Sequence, residues 1–263
     1  MARTASTRRG ARRGMAGGSR YRAPALDKGL DILELLARET APLTMTAIAA
    51  AIGYSKGEIF RMLQVLEERG YLARENDAGY VLTNRLFMLG MERPPIKSLV
   101  EAALPVMHRL AREIQQPCHL VVPSEDQIVV IARVDAPGDV GFVVRVGHRL
   151  PIVHSTSGAV LFAFQDEPER ARWLELTDKA GIRYRRRQFI GQADAIRAQG
   201  HAALPSTAVD GVTDLSAPIL RQGRPAGALT IPFVERHPQQ VSLKRAIERL
   251  HAAVRDISRE LTA

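Results

Sequence analysis

Lys56, Arg61 and Gln64 share one side of a helical run, and they are residue types that read nucleic acid. A guanidinium pairs with guanine, a side-chain amide with adenine, and an ammonium with phosphate or guanine. Glu58 and Phe60 join them on the outward face, while Ile59, Met62, Leu63 and Leu66 form the inward one. Ser55 stands where a helix N-cap is needed, just after Gly53 and Tyr54. Before the turn, Thr44 to Ile52 carries Ile48, Ala49 and Ile52 at helical spacing. Helix, glycine-containing turn and a second helix with a polar face describe a helix-turn-helix, whose second helix enters the major groove. The same pattern also fits an ordinary helical hairpin with a solvated face.

The flanks favour DNA reading. Leu26, Leu30, Leu33 and Ala37 predict a first helix that serves as the packing platform. Tyr71 to Arg74 and Tyr80 to Thr83 predict two short strands around a turn-forming loop, Glu75 to Gly79. A ribbon directly after the second helix is a wing, and Arg74 within it is placed to meet a phosphate. The predicted unit is a winged helix-turn-helix.

A second group of polar residues, His154-Ser155-Thr156-Ser157-Gly158, invites a hydrolytic reading. It lacks the G-x-S-x-G turn of a nucleophile elbow and has no paired acid in view. Free N–H groups and hydroxyls at a helix start suit an anionic ligand instead; the plainer reading is that Ser155 only caps the helix. The histidines have no metal-ligand spacing, so neither metal nor cofactor is expected. Cys118 follows a proline at a strand start and reads as packing rather than a reactive thiol.

The elements that would hold these groups follow in order. Asn84 to Met91 predicts a short helix, and Pro94-Pro95 breaks the chain. Ile96 to Ala103 resumes helical spacing, with Pro105 opening a further helix to Gln116. Cys118 to Val122, Gln127 to Val134 and Gly141 to Val146 predict strands. Ser155 to Phe164 predicts a buried helix and Glu167 to Leu176 an amphipathic one. Strands near Val212–Leu220 and Ala226–Val234 precede a closing helix, Val241 to Leu261. Hairpin-rich strands mixed with helices predict an α+β sandwich with an antiparallel sheet.

Composition bounds the rest. The 263 residues are long enough for two cores, and 46% hydrophobic with 25% charged residues is ordinary for a globular chain. No apolar run reaches the length of a membrane span, and a signal peptide's apolar stretch is missing. A single cysteine suits the reducing cytoplasm. The net charge of +9 is uneven: residues 1–23 hold seven arginines and no acid, leaving +2 for the other 240. Residues 24–84 hold six Lys/Arg against nine Asp/Glu, a balance of −3. The tail reads as a disordered basic arm that tracks phosphates, or as a solubilising extension.

ALDKGLDILELL, LTMTAIAAAIGYSKGEIFRMLQVLEERGYLARE and GYVLTNRLFMLG together resemble the DNA-binding domain of the IclR family of bacterial transcription regulators. LPVMHRLAREI, HLVV, RLPIVHSTSGA and GVTDLSAPI continue the resemblance through that family's effector domain, over about residues 25 to 262. The resemblance implies a winged reader at 24–84, a linker helix at 85–97 and a GAF-like effector-binding domain at 98–263, behind the tail at 1–23. It also implies no catalysis, a double-stranded palindromic operator, a small-molecule effector, and a homodimer or tetramer. Thr44, Ser55, Lys56, Glu58, Phe60, Arg61, Gln64 and Arg74 are the DNA-facing candidates. His119, Leu150, His154, Ser155, Thr156, Ser157, Asp214 and Ser216 are the effector candidates. Two departures stand out. Gly57 and Glu58 replace the Ser-Thr common at the head of the reading helix, and Glu58 could accept from cytosine N4. Leu204-Pro205-Ser206-Thr207 stands where the family commonly has acidic residues near its pocket. The competing readings are an enzyme built on the α+β domain and a non-specific arginine-rich nucleic-acid binder.

Overall fold

The computed structural model describes residues 23–75, 79–92, 94–137, 144–235 and 241–262. They belong to two compact units that divide after Gly90. In the first, α1 (Pro24–Leu36), α2 (Met45–Ile52) and α3 (Lys56–Glu68) precede an antiparallel ribbon of β1 (Leu72–Arg74) and β2 (Tyr80–Leu82). Local chemistry sets the boundaries. The Thr44 hydroxyl accepts the Ala47 N–H at 3.2 Å to start α2. Gly53 ends it with φ 74, a left-handed conformation that glycine adopts without a Cβ penalty. Ser55 and Glu58 then form a reciprocal capping box that starts α3. Ile32, Leu36, Ile48, Ile59, Leu63 and Leu72 make the core.

The platform helix turns a different stripe inward from the one its spacing suggested. Leu26 and Leu30 are exposed, as is Ala37, and the buried residues are Ile32, Leu33 and Leu36. The helix carries apolar residues on two faces that share Leu33, and α2 and α3 pack against only one. Next comes α4 (Arg85–Glu92), which buries none of its residues and exposes Leu86, Phe87 and Met88.

The second unit opens with α5 (Pro94–Ile114), a single helix where two were expected. Pro105 lies inside it, although a proline there removes an N–H and costs about 3 kcal/mol. Burial of Ala103, Met107, Leu110 and Ile114 against the sheet offsets that cost. The hairpin of β3 (Cys118–Ser124) and β4 (Gln127–Val134) is followed by β5 (Arg149–Pro151), a 3-10 turn over Ile152–His154, and α6 (Thr156–Phe164). Then come α7 (Glu167–Lys179), α8 (Arg186–Gln199), β6 (Ala202–Pro205), β7 (Val212–Arg221), β8 (Arg224–Val234) and α9 (Leu243–Glu260). The strand expected over Gly141 to Val146 begins outside the described residues, and the described Val144 to Val146 belong to no strand.

All six strands of this unit pair antiparallel in the order β5-β4-β3-β8-β7-β6. The two-residue period of a strand divides the apolar residues between two layers. Leu120, Leu229, Ile231 and Phe233 face α5 and α9, where Ala246, Leu250 and Ile257 form the matching stripe. Val121, Ile128 and Ala228 face α6, α7 and α8, packed with Phe162, Trp173 and Phe189. This second layer is the one that holds a cavity.

Candidate nucleic-acid interface and effector cavity

The outward face of α3 exposes Lys56, Phe60, Arg61 and Gln64, while Ile59 and Leu63 are fully buried beneath them. Among the described residues, Lys56, Arg61 and Gln64 have no side-chain hydrogen bond or ion pair, so their polar groups are available. Phe60 is 44% exposed, an apolar group beside three polar ones. Thymine is the base that offers a methyl to such a group.

Glu58 occupies a different position from the one its residue type suggested. One carboxylate oxygen accepts the Ser55 N–H at 2.9 Å and the Ser55 hydroxyl at 2.8 Å. The other accepts from Lys28 Nζ on α1 at 2.8 Å. The Lys28 hydrogen bond, followed by those from Ser55, holds the Glu58 carboxyl down at about 2. A carboxylate engaged on both oxygens has little left for cytosine, so Glu58 fixes the start of α3 against α1. The Lys28 ammonium also lies 5.1 Å from the Tyr54 ring centroid, and the Tyr54 hydroxyl donates to Asp31 at 3.1 Å. Thr44 and Ser55 are exposed helix caps. Arg74 is tied to Glu67 at 3.3 Å and donates to the Tyr80 hydroxyl at 2.6 Å, which leaves it half exposed on the ribbon.

In the second unit, a cavity of about 300 Å³ lies between the sheet and the start of α6. Its walls are mainly apolar, from Ile128, Val130, Leu150, Val212 and Pro232. Six of the expected residues line it: His119, Leu150, Ser155, Thr156, Ser157 and Asp214. His119 projects from β3 beside Thr230 of β8. Burial first, and then His148, push its imidazole down to about 4, so it is neutral near pH 7. Ser155 caps α6, its hydroxyl oxygen accepting the Gly158 N–H at 3.0 Å. Thr156 donates to Asp214 at 3.5 Å. Burial raises the Asp214 carboxyl, and the hydroxyls of Ser206 and Thr156 act against that rise.

Two expected residues lie elsewhere. His154 is exposed in the 3-10 turn, where its carbonyl accepts from the Thr207 hydroxyl at 3.1 Å; it borders a smaller neighbouring cavity. Ser216 shares the Asp214 face of β7 but lies one step deeper, fully buried, with its hydroxyl 2.9 Å from that of Thr230. Thr230 is the one that reaches the cavity. The sequence reading also missed Arg145 and His148, which enter the wall from the segment before β5. Ser206 and Thr207 complete it, and their tetrapeptide had already stood out as a departure from the family pattern.

Burial pushes the Cys118 thiol up to about 12, so it is a packing residue. Among the described residues, no three His, Cys, Asp or Glu side chains are grouped to hold a metal, and no helix is long and apolar enough to cross a membrane.

A winged helix-turn-helix with free cations on its second helix, joined in one chain to an α+β unit, defines the class as a DNA-binding regulator. Residues 25–76 match the IclR helix-turn-helix domain, and residues 96–259 match the bacterial transcriptional regulator IclR C-terminal domain. The chain belongs to the IclR family of transcription regulators and is not an enzyme. It is 28% identical over 245 residues to the HTH-type transcriptional regulator KdgR of Escherichia coli, covering 89% of this chain and 91% of that one. The crystal structure of Pseudomonas aeruginosa HmgR superimposes with a TM-score of 0.72 at 27% identity, over 92% of this chain and 100% of that one. An IclR homologue from Microbacterium hydrocarbonoxydans, solved with 4-hydroxybenzoate, gives 0.75 at 21% identity over 90% of this chain and 98% of its own, a likeness of fold alone.

Proposed function

We propose that this regulator binds a double-stranded operator through α3 and the ribbon, and that a small organic acid in the cavity changes that binding. The observation that carries the proposal is the 300 Å³ cavity, apolar with a few convergent polar groups, in a chain that also holds a DNA-reading helix. A structural neighbour that holds 4-hydroxybenzoate supports the acid class. Lys56 and Arg61 contact DNA, with Gln64 and Phe60 reading adjacent base edges. The working form is a homodimer or a pair of dimers in the cytoplasm. Leu26 and Leu30 on α1, with Leu86, Phe87 and Met88 on α4, leave apolar surface that a second copy would cover. The effector acts by shifting the population of dimer arrangements, and with it the spacing of the two recognition helices. Fluorescence anisotropy on the DNA flanking the protein's own gene, with and without 4-hydroxybenzoate and related acids, tests this. Specific binding that moves with acid concentration is expected. Equal affinity for scrambled DNA, or no response to any acid, refutes it.

A further inference from the structure

The start of α6 is where helix polarity would seat an effector's carboxylate, and a carboxylate of the protein already occupies it. Asp214, on β7, accepts from the hydroxyl of Thr156, the first residue of α6, and from the hydroxyl of Ser206. Its negative charge therefore lies at the positive end of the helix. Ser155, the neighbouring hydroxyl, has its oxygen committed to the Gly158 N–H. A ligand carboxylate brought to this place would meet a like charge in a partly desolvated wall, which disfavours both.

A guanidinium and an imidazole enter the same cavity from a different segment. Arg145 and His148 line it from the turn that leads into β5, and neutral His119 lines it from β3. The cavity is thus polarised, with an acceptor at the α6 end and a guanidinium elsewhere on its wall. Its volume, about 300 Å³, is at the small end for organic ligands and suits a single ring.

We propose that Asp214 selects the effector by accepting a hydrogen bond from its hydroxyl or N–H, while Arg145 with His148 receives its acid group. The ligand class is a ring-sized apolar acid with a hydrogen-bond donor remote from the carboxylate. This rests on reading the cavity as the effector site. A partly buried acceptor that a deoxy analogue leaves one hydrogen bond short discriminates against that analogue, which is how a hydroxyl is read. Burial raises the Asp214 carboxyl despite the two hydroxyls that donate to it, and a further donor from the ligand would act with them.

Calorimetric titration of the full chain with 4-hydroxybenzoate, benzoate and phenol tests the assignment. We expect 4-hydroxybenzoate to bind at least tenfold more tightly than benzoate. Asp214→Ala should bring the two within about threefold, while a conserved circular dichroism spectrum shows that the chain still folds. Arg145→Gln, at an exposed position, should weaken both acids by a similar factor and leave phenol unchanged. Benzoate binding as tightly as its hydroxylated counterpart, or a preference for 4-hydroxybenzoate that persists at tenfold in Asp214→Ala, would overturn the polarity, as would no binding of any acid. Leu150→Trp, which fills the cavity, separates the two claims. If 4-hydroxybenzoate binding survives that change, the cavity is not the effector site, whatever the ratio.

Discussion

Gly158→Ala should loosen the wall of the effector cavity while leaving the DNA-reading unit intact. A Cβ built on Gly158 collides with the Ile152 carbonyl oxygen and lies 2.5 Å from Ser155 Oγ and 2.7 Å from Ile152 Cα. Two of these atoms are backbone, in a 3-10 turn whose Ile152 N–H is bonded to the Asp126 carbonyl at 2.9 Å, so they cannot rotate aside. Overpacking of this kind costs about 1–3 kcal/mol. Displacing Ser155 from the Gly158 N–H removes a cap worth about 1 kcal/mol. Replacing glycine by alanine in a helix returns up to about 1 kcal/mol. The balance is a loss of roughly 2 kcal/mol, or about 1 M in urea midpoint at a typical m-value.

The assay is built into the chain. Trp173 is the single tryptophan, 2% exposed on α7, with its ring centroid 6.5 Å from that of Phe162 on α6. Its fluorescence therefore reports the packing of α7 on α6. Gly57→Ala is the control, because a Cβ there meets nothing within 4 Å. A Gly158→Ala midpoint equal to wild type would refute the close approach of turn and helix. An equal shift in Gly57→Ala would show that the effect is not local.

Three further outcomes follow from the first unit and its tail. Arg61→Ala should lower specific DNA affinity by about 1–3 kcal/mol and largely spare random DNA, and equal losses in anisotropy titrations would assign Arg61 to phosphates. The Glu58 carboxyl falls from 4.5 to about 2 on folding, so its stabilisation is full above about pH 4.5 and is lost as pH drops towards 2. Acid titration of the Ile48 and Leu63 amide NMR signals should show this, and Glu58→Gln should remove that part of the slope. Deleting residues 1–22, which carry seven arginines, should flatten log K against log salt by at least about 2, and parallel lines would make the tail a passenger in binding.

Much of the fold was legible because its signals are local. Thr44, Gly53 and Ser55 bound α2 and α3 through their own hydroxyls and backbone freedom. The alternating apolar residues of β3 and β4 sort themselves between two layers. Elements without such signals were missed. α8 buries Phe189, Ala193 and Ile196 at helical spacing, but its N-cap position, Arg185, makes no side-chain cap and the rest of the helix is polar. β5 and β6 have three and four residues, too few for an alternation to register. Pro105 argued for a break because its cost is local, whereas the burial that offsets it is contributed by strands far along the chain. For the same reason Arg145 and His148 carried no signal for the cavity.

The two carboxylates that sequence assigned to outside partners show how tertiary structure decides the use of a charge. At 100° per residue, Glu58 lies 200° around α3 from Lys56, whereas Phe60, Gln64 and Arg61 lie at 40°, 80° and 140°. Glu58 therefore borders the packed side, where Lys28, thirty residues earlier, is within reach. That pair removes an acid from the DNA-facing side at the expense of a cation that α1 does not direct at DNA. Arg74 of the ribbon and Glu67 of α3 neutralise each other in the same way. The balance of −3 over residues 24–84 thus overstates the repulsion DNA would meet, because Lys56 and Arg61 keep their charges uncompensated on the reading face. Asp214 is the counterpart in the second unit, a charge placed at α6 by a strand more than fifty residues away. In both places the residue type was legible and the partner was not, and the partner determines whether a charge recognises a ligand or positions a helix.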